Sequence, residues 1–358
     1  MSNIPTHILN RLDTHPVPDV PGEVRLFMTV SNEIKRLPYL FDYYRRLGVG
    51  RFFCIDNMST DGTVEFLKAQ PDVHLFQTGD FFRVARAGIV WQNALLDRYG
   101  TGHWCLYVDA DELLVYPHIE QLNLPAFCAA LEQEGAEALY TFLLDMYPDG
   151  NMADAVCVQG RNFFEITPLF DRDYTVVDRI QLRSRVFPPR EVIGGPRLRC
   201  FFPEQNTTDQ GKRLRSFIER RIRERLSAYF PSLKPPVKAP DIFKVPLIKW
   251  KKGNAFISST HQVNPQKLSV ATGVLAHFKF FSDFHDRVAK AISSGQYFGG
   301  SVEYKRYQQM MEAGADRGFR YEGTCQYTSS QQLLNLGLIR SSPAVEQAVA
   351  HTQSDSKG

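Results

Sequence analysis

The sequence lacks the features that place a protein across a membrane, on a nucleic acid or in an oxidising compartment. No apolar run approaches the roughly 20 residues that cross a bilayer. Lys and Arg number 42 against 39 Asp and Glu, a net charge of +3, which favours neither a nucleic-acid-binding protein nor an acidic tail. The six cysteines are scattered without a CxxC pair, so the pattern indicates a reduced protein.

The beginning of the sequence also lacks a targeting signal. The stretch MSNIPTHILNRLDTHPVPDVPGEV shows no basic leader followed by an apolar run, so no signal peptide is expected. Cys54 and Cys105 lie inside apolar, strand-like runs, where a thiol usually acts as a small buried hydrophobic group. The expected location is therefore the cytoplasm.

Apolar and aromatic residues, by contrast, are plentiful. Of the 358 residues, 43% are hydrophobic and 12% are aromatic. A chain of this length and composition can bury a large core. One large domain or two modest ones are expected.

Strand-like and helix-like segments alternate from about Glu23. The strand-like runs are VRLFMTV, RFFCIDN, VHLFQ and HWCLYVDADE. Apolar residues at helical spacing occur in PYLFDYYRRLG, in STDGTVEFLKAQP with Ser59 and Asp61 as candidate N-caps, and over residues 86–99. This alternation predicts a mostly parallel α/β sheet with right-handed crossovers.

A second region begins at about Pro148. It contains the aromatic, strand-like runs NFFEITPLF, TVVDRIQLRSRVF, FKVPLIKW and VLAHFKFF. Two helices are predicted from about Ser282 and Val302, and the polar residues after Ser341 are predicted to be flexible. These elements are expected to add β and α structure to the first region.

Acidic and polar residues follow three of the predicted strands. They are Ser31, Asn32 and Glu33 after the first strand, Asp56, Asn57, Ser59 and Asp61 after the second, and Asp109, Asp111 and Glu112 after the fourth. The carboxyl ends of parallel strands meet at one edge of a sheet, so these side chains are expected to lie close together. Their negative charges repel one another unless a cation or a hydrogen-bond donor offsets them.

The triplet Asp109-Ala110-Asp111 makes a divalent cation the simplest partner. Two carboxylates one residue apart can approach one site if the chain turns there, and their oxygens suit Mg²⁺ or Mn²⁺. Taken alone, the triplet is better explained as a helix cap or a solvated loop. Its position after a strand, together with the acids after the two other strands, favours a metal site.

These segments resemble a known enzyme family. VSNEIKRLPYLFDYYRRLGVGRFFCIDNMSTDGT, followed by WCLYVDADELL, is similar to the nucleotide-binding half of family 2 glycosyltransferases of the GT-A fold, and most similar to a bacterial subgroup containing DADE. The resemblance covers about residues 24–116, and GGPRLR, KVPLIKW, STHQV and LAHFKFFSDFH also resemble this subgroup. It implies a Rossmann-like α/β fold whose mostly parallel sheet carries added C-terminal β and α elements.

The resemblance also implies a reaction. A sugar would pass from a nucleotide-diphosphate donor to a glycan, a lipid-linked molecule or another hydroxyl acceptor, as in the synthesis of cell envelope polysaccharides. A divalent cation, Mn²⁺ or Mg²⁺, is the implied cofactor. The expected division of the chain is an N-terminal extension (1–22), a nucleotide-sugar-binding half (23–147), an acceptor-binding and metal-completing portion (148–340) and a flexible tail (341–358).

The resemblance assigns the first two loops to the nucleoside. The loop after the first strand, with Val30, Asn32 and Glu33, is expected to lie along the nucleoside. Asp56 is expected to contact the base or the ribose. The remaining residues that shape this second loop are Asn57, Ser59 and Asp61.

The diphosphate and the metal are assigned to residues further along. Arg86 is expected to approach the diphosphate. Asp109 matches the first position of the family's DxD motif and is expected to face the ribose or the metal, while Asp111 is expected to bind the metal directly. The cation would act as a Lewis acid that offsets the charge of the leaving diphosphate.

His277, in LAHFKF, is a second candidate metal ligand. Enzymes of the GT-A fold often bring a histidine from the far end of the chain to complete the metal site. A histidine packed in the core accounts for this aromatic run equally well. Lys279, two residues further on, would face the same side of a strand and could neutralise phosphate.

The acceptor side is less well defined by the sequence. Asp145, at the end of ALYTFLLD, is the first candidate for a general base, and Asp178, Glu204 and Asp241 compete with it. Arg197, in GGPR, and His261, in STHQV, are candidate phosphate or acceptor contacts. A plain turn and an edge-strand histidine, respectively, are the alternatives for these two residues.

A basic, amphipathic segment covers residues 212–230. Lys212 and six arginines surround apolar residues at helical spacing, a pattern that suits peripheral contact with the inner face of an anionic membrane. A solvated helix packed on the domain, with its arginines paired to Glu219 and Glu224, is the favoured alternative.

Three other functions compete with glycosyl transfer. One is a nucleotidyltransferase, but the sequence shows no Gly-rich, basic loop that would hold phosphates near the first strand. A phosphohydrolase with an Asp nucleophile also carries a DxD motif after a buried strand, but here the motif follows several alternating elements instead of the first strand. A non-catalytic nucleotide-binding or glycan-binding protein on the same fold would not need Asp56, Asp109, Asp111 and His277 together.

Overall fold

The structure, a computed structural model, describes residues 9–80, 85–86, 88–180, 187–295, 298–314, 316 and 318–355. In these ranges the strands are β1 (Asn10–Arg11), β2 (Val24–Val30), β3 (Val49–Asp56), β4 (Val73–Gln77), β5 (Trp104–Tyr107), β6 (Glu112–Val115), β7 (Ala138–Tyr147), β8 (Leu169–Asp171), β9 (Tyr174–Asp178), β10 (Arg190–Gly194), β11 (Phe243–Lys249), β12 (Leu268–His277) and β13 (Thr324–Gln326). The α-helices are α1 (Leu37–Arg46), α2 (Thr63–Lys68), α3 (Ile89–Tyr99), α4 (Leu124–Gln133), α5 (Phe163–Ile166), α6 (Gln210–Leu226), α7 (Phe284–Ser294), α8 (Phe298–Glu312), α9 (Ser330–Asn335) and α10 (Pro343–Asp355).

One large sheet organises the fold. Its strands follow the order β1-β4-β3-β2-β5-β11-β7-β12-β6, and β8 and β13 extend it from β7. Six strands along this order run in one direction, namely β4, β3, β2, β5, β7 and β12. The other three, β1, β11 and β6, run in the opposite direction. The prediction of an α/β fold with a large, mostly parallel sheet is confirmed.

The strand order reverses at β2. Strands β3 and β4 lie on one side of β2, and the chain then crosses over to place β5 on its other side. In doubly wound sheets, ligands bind beyond the carboxyl ends of the strands at such a reversal. Because β11 is antiparallel to β5 and β7, its first residues reach the same edge as the ends of its neighbours.

Helix α1 shows how the apolar pattern builds the core. Pro38 lies in its first turn, where a missing N–H costs no helical hydrogen bond. Phe41 and Tyr44 are fully buried, and the ring of Phe41 stacks on Phe52 of β3 with 4.4 Å between centroids. Burial of each such side chain contributes ~1.5–3 kcal/mol. Gly48, with φ at 91°, follows the helix in the left-handed conformation that suits glycine.

The beginning of α2 differs from its prediction. The helix begins after Gly62, which has a φ of 94°, so Ser59 and Asp61 are not its N-caps. Asp61 instead accepts a hydrogen bond of 2.6 Å from the hydroxyl of Thr63. The glycine provides the left-handed turn that L-residues adopt at a cost, and this turn moves the helix start beyond the predicted caps.

The aromatic run at residues 162–170 is predicted to be a strand, but only its last two residues belong to one. It forms α5 and then β8. The side chain of Asn162 accepts a hydrogen bond from the N–H of Phe164, which caps the helical turn and overrides the β-propensity of the aromatic residues. In the next predicted strand, residues 181–186 lie outside the described residues.

The predicted boundary at residues 147 and 148 does not divide the sheet. Strands β11 and β12 come from the second portion, and they pair with β7 on both of its sides. A continuous apolar core also extends from β2 to α10. The second portion therefore completes the central sheet, and a smaller core lies beneath α7 and α8.

The predicted flexible tail is wrong for residues 343–355, which form α10. Val345 is fully buried and Val349 is 7% exposed. Near the start of the helix, Glu346 lies 2.8 Å from the ring of His118. The sequence looks polar here because only one side of a short helix is apolar, and that side faces the core.

Replacing Val345 with Ala tests whether α10 belongs to the folded core. The loss of two buried methyl groups is expected to lower the free energy of unfolding by about 1–3 kcal/mol, as measured by urea denaturation. His351→Ala, on an exposed position of the same helix, is the control and is expected to change it by less than about 0.5 kcal/mol. Equal stability of the two variants would mean that the helix is not held on the core.

Candidate functional site

The polar residues predicted at the strand ends do gather at the carboxyl edge of the sheet. The loop after β2 and the loop after β3 are joined by the hydrogen bond from Asn57 N–H to the carbonyl of Val30, 2.8 Å long. The N–H of Asn32 donates to the hydroxyl of Ser59, also at 2.8 Å. The N–H of Thr60 donates to the side chain of Asn32 at 2.8 Å. The two loops therefore form one cross-linked unit beside the strand-order reversal.

Asp61 adds a further link between these loops. Its carboxylate accepts from the N–H of Ile34 at 3.2 Å and from Thr63. Burial acts to raise the pKa of Asp61, but the hydrogen bonds from Thr63 and Ile34 outweigh it and lower the pKa. The ionised carboxylate thus fixes the position of both loops.

Asp56 lies beneath this unit. Its side chain is fully buried and accepts hydrogen bonds from the N–H of Ser59 at 3.3 Å and from the amide of Gln77 at 2.9 Å. These contacts support the second loop from below. A contact between Asp56 and a nucleoside stays a prediction.

Glu33 belongs to a network of charges that includes α7, in which Glu33 and Arg36 are buried while Asp283 and Arg287 are partly exposed. Its carboxylate lies 3.2 Å from Arg36 and 3.2 Å from Arg287. Arg36 also donates two hydrogen bonds, of 2.8 and 2.7 Å, to Asp283. Burial raises the pKa of Glu33, while the two arginines act to lower it. Glu33 is thus occupied by arginines, and its predicted place along the nucleoside is untested.

Asp109 is held at the end of β5 by a buried lysine. Its Oδ2 lies 3.2 Å from the Nζ of Lys244, and its Oδ1 accepts from the hydroxyl of Tyr107 at 3.3 Å. Lys244 is completely buried and also donates to Glu112 at 2.9 and 2.6 Å. The Glu112 carboxylate accepts from the N–H of Asp109 at 2.9 Å. With 45% of its side chain exposed, Asp109 still faces the surface.

The electrostatics of this group favour a charged lysine. Burial acts to lower the pKa of Lys244, but the carboxylates of Asp109 and Glu112 outweigh it and raise the pKa.

His261 is affected by the charge of Lys244. The Nδ1 of His261 lies 2.9 Å from the carbonyl of Phe243. Burial and then the charge of Lys244 lower the pKa of His261 to about 4, so its ring is neutral at pH 7. His261 lies in a turn, not on an edge strand.

Asp111 and His277 come together from two distant parts of the chain. The Nε2 of His277 lies 3.8 Å from the Oδ2 of Asp111. Two ligand atoms on one divalent cation are separated by about 3–4 Å, so this pair can share an ion. Burial lowers the pKa of His277 despite the opposing charge of Asp111, which favours the neutral imidazole that binds metals.

This pair does not amount to a complete protein cage. Within the described ranges, no group of three or more His, Cys, Asp or Glu side chains is arranged to hold a metal ion. Mg²⁺ and related ions usually take one or two protein carboxylates and fill the other positions with water and substrate phosphates. The residues present therefore fit an ion that is completed by a phosphate-bearing substrate.

Asp145 lies behind His277 and orients its ring. The register of β7 and β12 places the two residues side by side, and Oδ1 of Asp145 lies 2.6 Å from Nδ1 of His277. A carboxylate on the far nitrogen of a metal-binding histidine fixes its tautomer and directs Nε2 outward. Arg197 also pairs with Asp145, and a guanidinium nitrogen of Arg197 lies 2.8 Å from the same Nδ1 of His277. A guanidinium only donates, so Nδ1 either donates to Asp145, which leaves Nε2 free for a metal, or accepts from Arg197.

This placement argues against the prediction that Asp145 is a general base. Its side chain is 1% exposed and already engaged by Arg197 and His277. Burial acts to raise the pKa of Asp145, but the charge of Arg197 and the hydrogen bond from His277 lower it. A buried carboxylate that is already paired is poorly placed to receive a proton from an acceptor at the surface, which counts against this role. Arg197, also buried, is occupied in the same way and does not face solvent.

Positive charges concentrate around Asp111. Burial acts to raise the pKa of Asp111, but His277, Arg287 and Arg36 hold it well below the usual range. Lys279 contributes as well, and burial lowers its own pKa. The ammonium of Lys279 lies 5.1 Å from the ring centroid of Tyr307. The site therefore combines a carboxylate and a histidine with cations suited to a diphosphate.

The remaining candidates form contacts with other residues. Arg86, with φ at 53°, donates to the carbonyl of Ile257 at 3.3 Å, and most of the residues around it lie outside the described ranges. The alternative bases are exposed or paired elsewhere. Asp178 ends β9 and is exposed, Glu204 pairs with Arg306 and Asp241 pairs with Lys238.

Three charged residues of the site, Lys244, Arg36 and Arg287, are not among those predicted from the sequence. Lys244 gave a usable signal, because a lysine inside the apolar run FKVPLIKW must be paired if that strand is buried. Arg36 and Arg287 gave none, since each lies on or beside an amphipathic helix where arginine is ordinarily solvated. Their role depends on how α7 packs beside the loop after β2.

Comparisons with known proteins add little to this site. No protein-family model matches the sequence, and no curated protein matches it. Among solved structures, 4-diphosphocytidyl-2C-methyl-D-erythritol synthase aligns at 17% identity with a TM-score of 0.24, over 36% of this chain and 64% of its own. This chain thus spans less than two thirds of that enzyme's length, and a likeness of this size supports no conclusion about activity.

Proposed function

We propose that this protein is a metal-dependent glycosyltransferase with a GT-A nucleotide-binding sheet, which transfers a sugar from a nucleotide-diphosphate donor to a hydroxyl acceptor. The observation that carries the proposal is the pair Asp111 and His277, with 3.8 Å between Oδ2 and Nε2. Asp111 and His277 lie at the carboxyl edge of the sheet, the edge at which ligands bind in open α/β folds, with His277 at the end of β12, three strands beyond β5.

The chemistry of the pair suits a diphosphate. Asp111 and His277 would hold Mn²⁺ or Mg²⁺, which supplies Lewis acidity to the phosphoryl oxygens. Arg36 and Arg287, which act on Asp111 through their charges, would add positive charge next to the diphosphate. Asp145 would keep His277 in the correct orientation throughout.

The donor nucleoside would contact the cross-linked loops after β2 and β3. These loops have fixed positions because Asn32, Asn57 and Asp61 each bond across the gap between them. A site that is rigid before binding loses less conformational entropy when the ligand arrives. Asp109, 45% exposed and held by Lys244, would face the ribose or the metal.

The phosphohydrolase alternative requires a different role for Asp109. As the nucleophile of such an enzyme, its carboxylate would attack phosphorus. Here Lys244 and Tyr107 each donate to one oxygen of Asp109. Donors to a carboxylate stabilise its charge and reduce its nucleophilicity, so we favour glycosyl transfer.

A thermal-shift screen with UDP, GDP, CDP and dTDP, each with and without Mn²⁺, tests the proposal. A ligand that binds only the folded protein raises its stability, by about 2.7 kcal/mol at a concentration 100 times its Kd. We expect one of the four nucleotides to raise the melting temperature, and to do so only when Mn²⁺ is present.

The screen also separates the competing functions. Release of phosphate from p-nitrophenyl phosphate, without any shift by nucleotides, would support the phosphohydrolase. A nucleotide shift that is equal with and without Mn²⁺ would contradict the metal site at Asp111 and His277. Hydrolysis of the matching nucleotide sugar, followed by chromatography, then identifies the donor.

A further inference from the structure

Helix α6 is exposed along its whole length. Its N-cap, Asp209, accepts a hydrogen bond from the N–H of Lys212 at 2.7 Å, and none of its 17 residues is buried. Four of its apolar side chains recur every four residues and remain substantially exposed. They are Leu214 at 40%, Ile218 at 44%, Ile222 at 52% and Leu226 at 40%.

Two aromatic residues continue this apolar face beyond the helix. Tyr229 is 81% exposed and Phe230 is 58% exposed. The N–H of Phe230 donates to the carbonyl of Leu226 at 2.8 Å, so the chain stays wound against the helix end. We call Leu214, Ile218, Ile222, Leu226, Tyr229 and Phe230 the α6 surface.

The rest of the protein does not cover the α6 surface. The helix is attached through polar contacts, among them the hydrogen bond of 2.8 Å from Arg213 to the carbonyl of Asp178 and that of 2.7 Å from Arg220 to the carbonyl of Pro236. An open groove of about 1300 Å³ lies between the helix and the body of the protein, and Ile218 and Ile222 line the helix side of it. An apolar surface of this kind, left open by its own chain, marks an interaction site.

The positive charge of α6 restricts the kinds of partner that can bind to it. The helix carries Lys212 and six arginines against two glutamates, a net charge of +5, whereas the whole chain has +3. The two glutamates are already paired, Glu219 with Arg223 at 3.0 Å and Glu224 with Arg221 at 3.7 Å. In the described part of the chain, Arg215 and Arg225 have no carboxylate within ion-pairing distance. These cations remain available to a negatively charged partner.

We propose that the α6 surface binds the face of an anionic lipid bilayer. Its apolar side chains would enter the boundary between headgroups and acyl chains, and its arginines would contact the lipid phosphates. Tyr229 and Phe230 suit this boundary, where aromatic residues are enriched. A second copy of this chain fits less well, because two helices of charge +5 would repel each other.

The attachment would be peripheral. Among the helices in the described ranges, none has the length and apolar character needed to span a bilayer. The proposal does not rest on glycosyl transfer, since vesicle binding is measured without any donor. It would, however, bring the sheet edge with Asp111 close to acceptors that are linked to lipid.

Sedimentation with vesicles tests the α6 surface. The wild-type protein is expected to sediment with vesicles that mix phosphatidylcholine and phosphatidylglycerol, but not with phosphatidylcholine alone. Added salt should weaken the binding, because it screens charges at a surface. Each arginine near an anionic surface contributes about a fivefold change in partitioning, so Arg215→Gln/Arg225→Gln is expected to weaken it by about 20-fold or more.

Matched control variants distinguish a specific role of α6 from a general effect of removing apolar side chains or positive charges. Ile218→Ser/Ile222→Ser should abolish sedimentation, whereas Val270→Ser, at an apolar position that is 64% exposed elsewhere, should leave it unchanged. Arg161→Gln/Arg340→Gln removes the same charge from two other exposed positions and should also have little effect. Circular dichroism and thermal unfolding of every variant establish that it is folded.

Three outcomes would overturn the proposal. The first is that the wild-type protein does not sediment with the anionic vesicles. The second is that the variants in α6 bind as well as the two controls. The third is a dimer, detected by light scattering, that Ile218→Ser/Ile222→Ser dissociates, which would identify a second copy of the chain as the occupant.

Discussion

Asp111→Asn is expected to abolish the stabilisation of this protein by a nucleoside diphosphate with Mn²⁺. The amide keeps the shape of the side chain but removes the negative charge that would hold the ion beside His277, 3.8 Å away. Without the ion the diphosphate loses its main electrostatic partner. The shift of about 2.7 kcal/mol that is expected at 100 times the Kd should fall to near zero.

The same substitution also changes the protein without ligand. The charge of His277 when it is protonated, and then the charges of Arg287 and Arg36, hold the pKa of Asp111 well below its usual value, so the carboxylate stabilises the fold by offsetting the two arginines while His277 is neutral. Its removal is expected to lower the free energy of unfolding by about 1–3 kcal/mol. For that reason the ligand shift must be measured against the unliganded form of each variant.

Asp149→Asn is the matched control for Asp111. Asp149 forms an exposed ion pair with Arg320 at 2.7 Å, and 56% of its side chain is accessible. Exposed pairs contribute about 1 kcal/mol or less, so both the stability and the manganese-dependent shift should stay near those of the wild type. Retention of the full shift by Asp111→Asn would rule out Asp111 as a metal ligand.

Lys244→Met is expected to cause the largest loss of stability. Lys244 is completely buried, and its ammonium donates to Glu112 at 2.6 Å and lies 3.2 Å from Asp109. Methionine fills a similar volume, but it leaves the carboxylate of Glu112 buried without a counterion. Breaking a buried ion pair in this way costs about 3–5 kcal/mol, measured as the free energy of unfolding in urea.

Two further variants make this test specific. Lys249→Met removes another lysine of β11, but its partner Glu132 is 49% exposed, so a change within about 1 kcal/mol is expected. Lys244→Met/Glu112→Gln should recover part of the loss, because the uncompensated charge is no longer buried. If Lys244→Met and Lys249→Met were equally stable, the buried pair would not contribute to folding.

The positions of the strands in the first half of the chain were predictable because they depend on neighbours in sequence. The runs from Val24 and from Val73 become β2 and β4, and their apolar residues are buried as the pattern indicates. The gathering of Asn32, Asp61 and Asp111 at one sheet edge was also predictable, since carboxyl ends of parallel strands share that edge.

The partners of the buried charges were not predictable in this way. Lys244 meets Glu112 across 132 residues of sequence, and the contact exists because β11 inserts between β5 and β7. Asp145 and His277, also 132 residues apart, are neighbours because β12 pairs with β7 in parallel. A pattern of residues does not specify which strands become adjacent, so the pairing of Asp145 with His277 could not be predicted from the sequence.

The sequence by itself determined the α/β class, the order of the first strands and helices, and the acids at the strand ends, because periodicity and turn chemistry are local. Tertiary structure alone decided that α10 is packed, that α6 leaves its apolar face uncovered and that Asp145 supports His277. Each of these depends on which distant surfaces meet. The free energy of burying each charge then depends on which partner it contacts there.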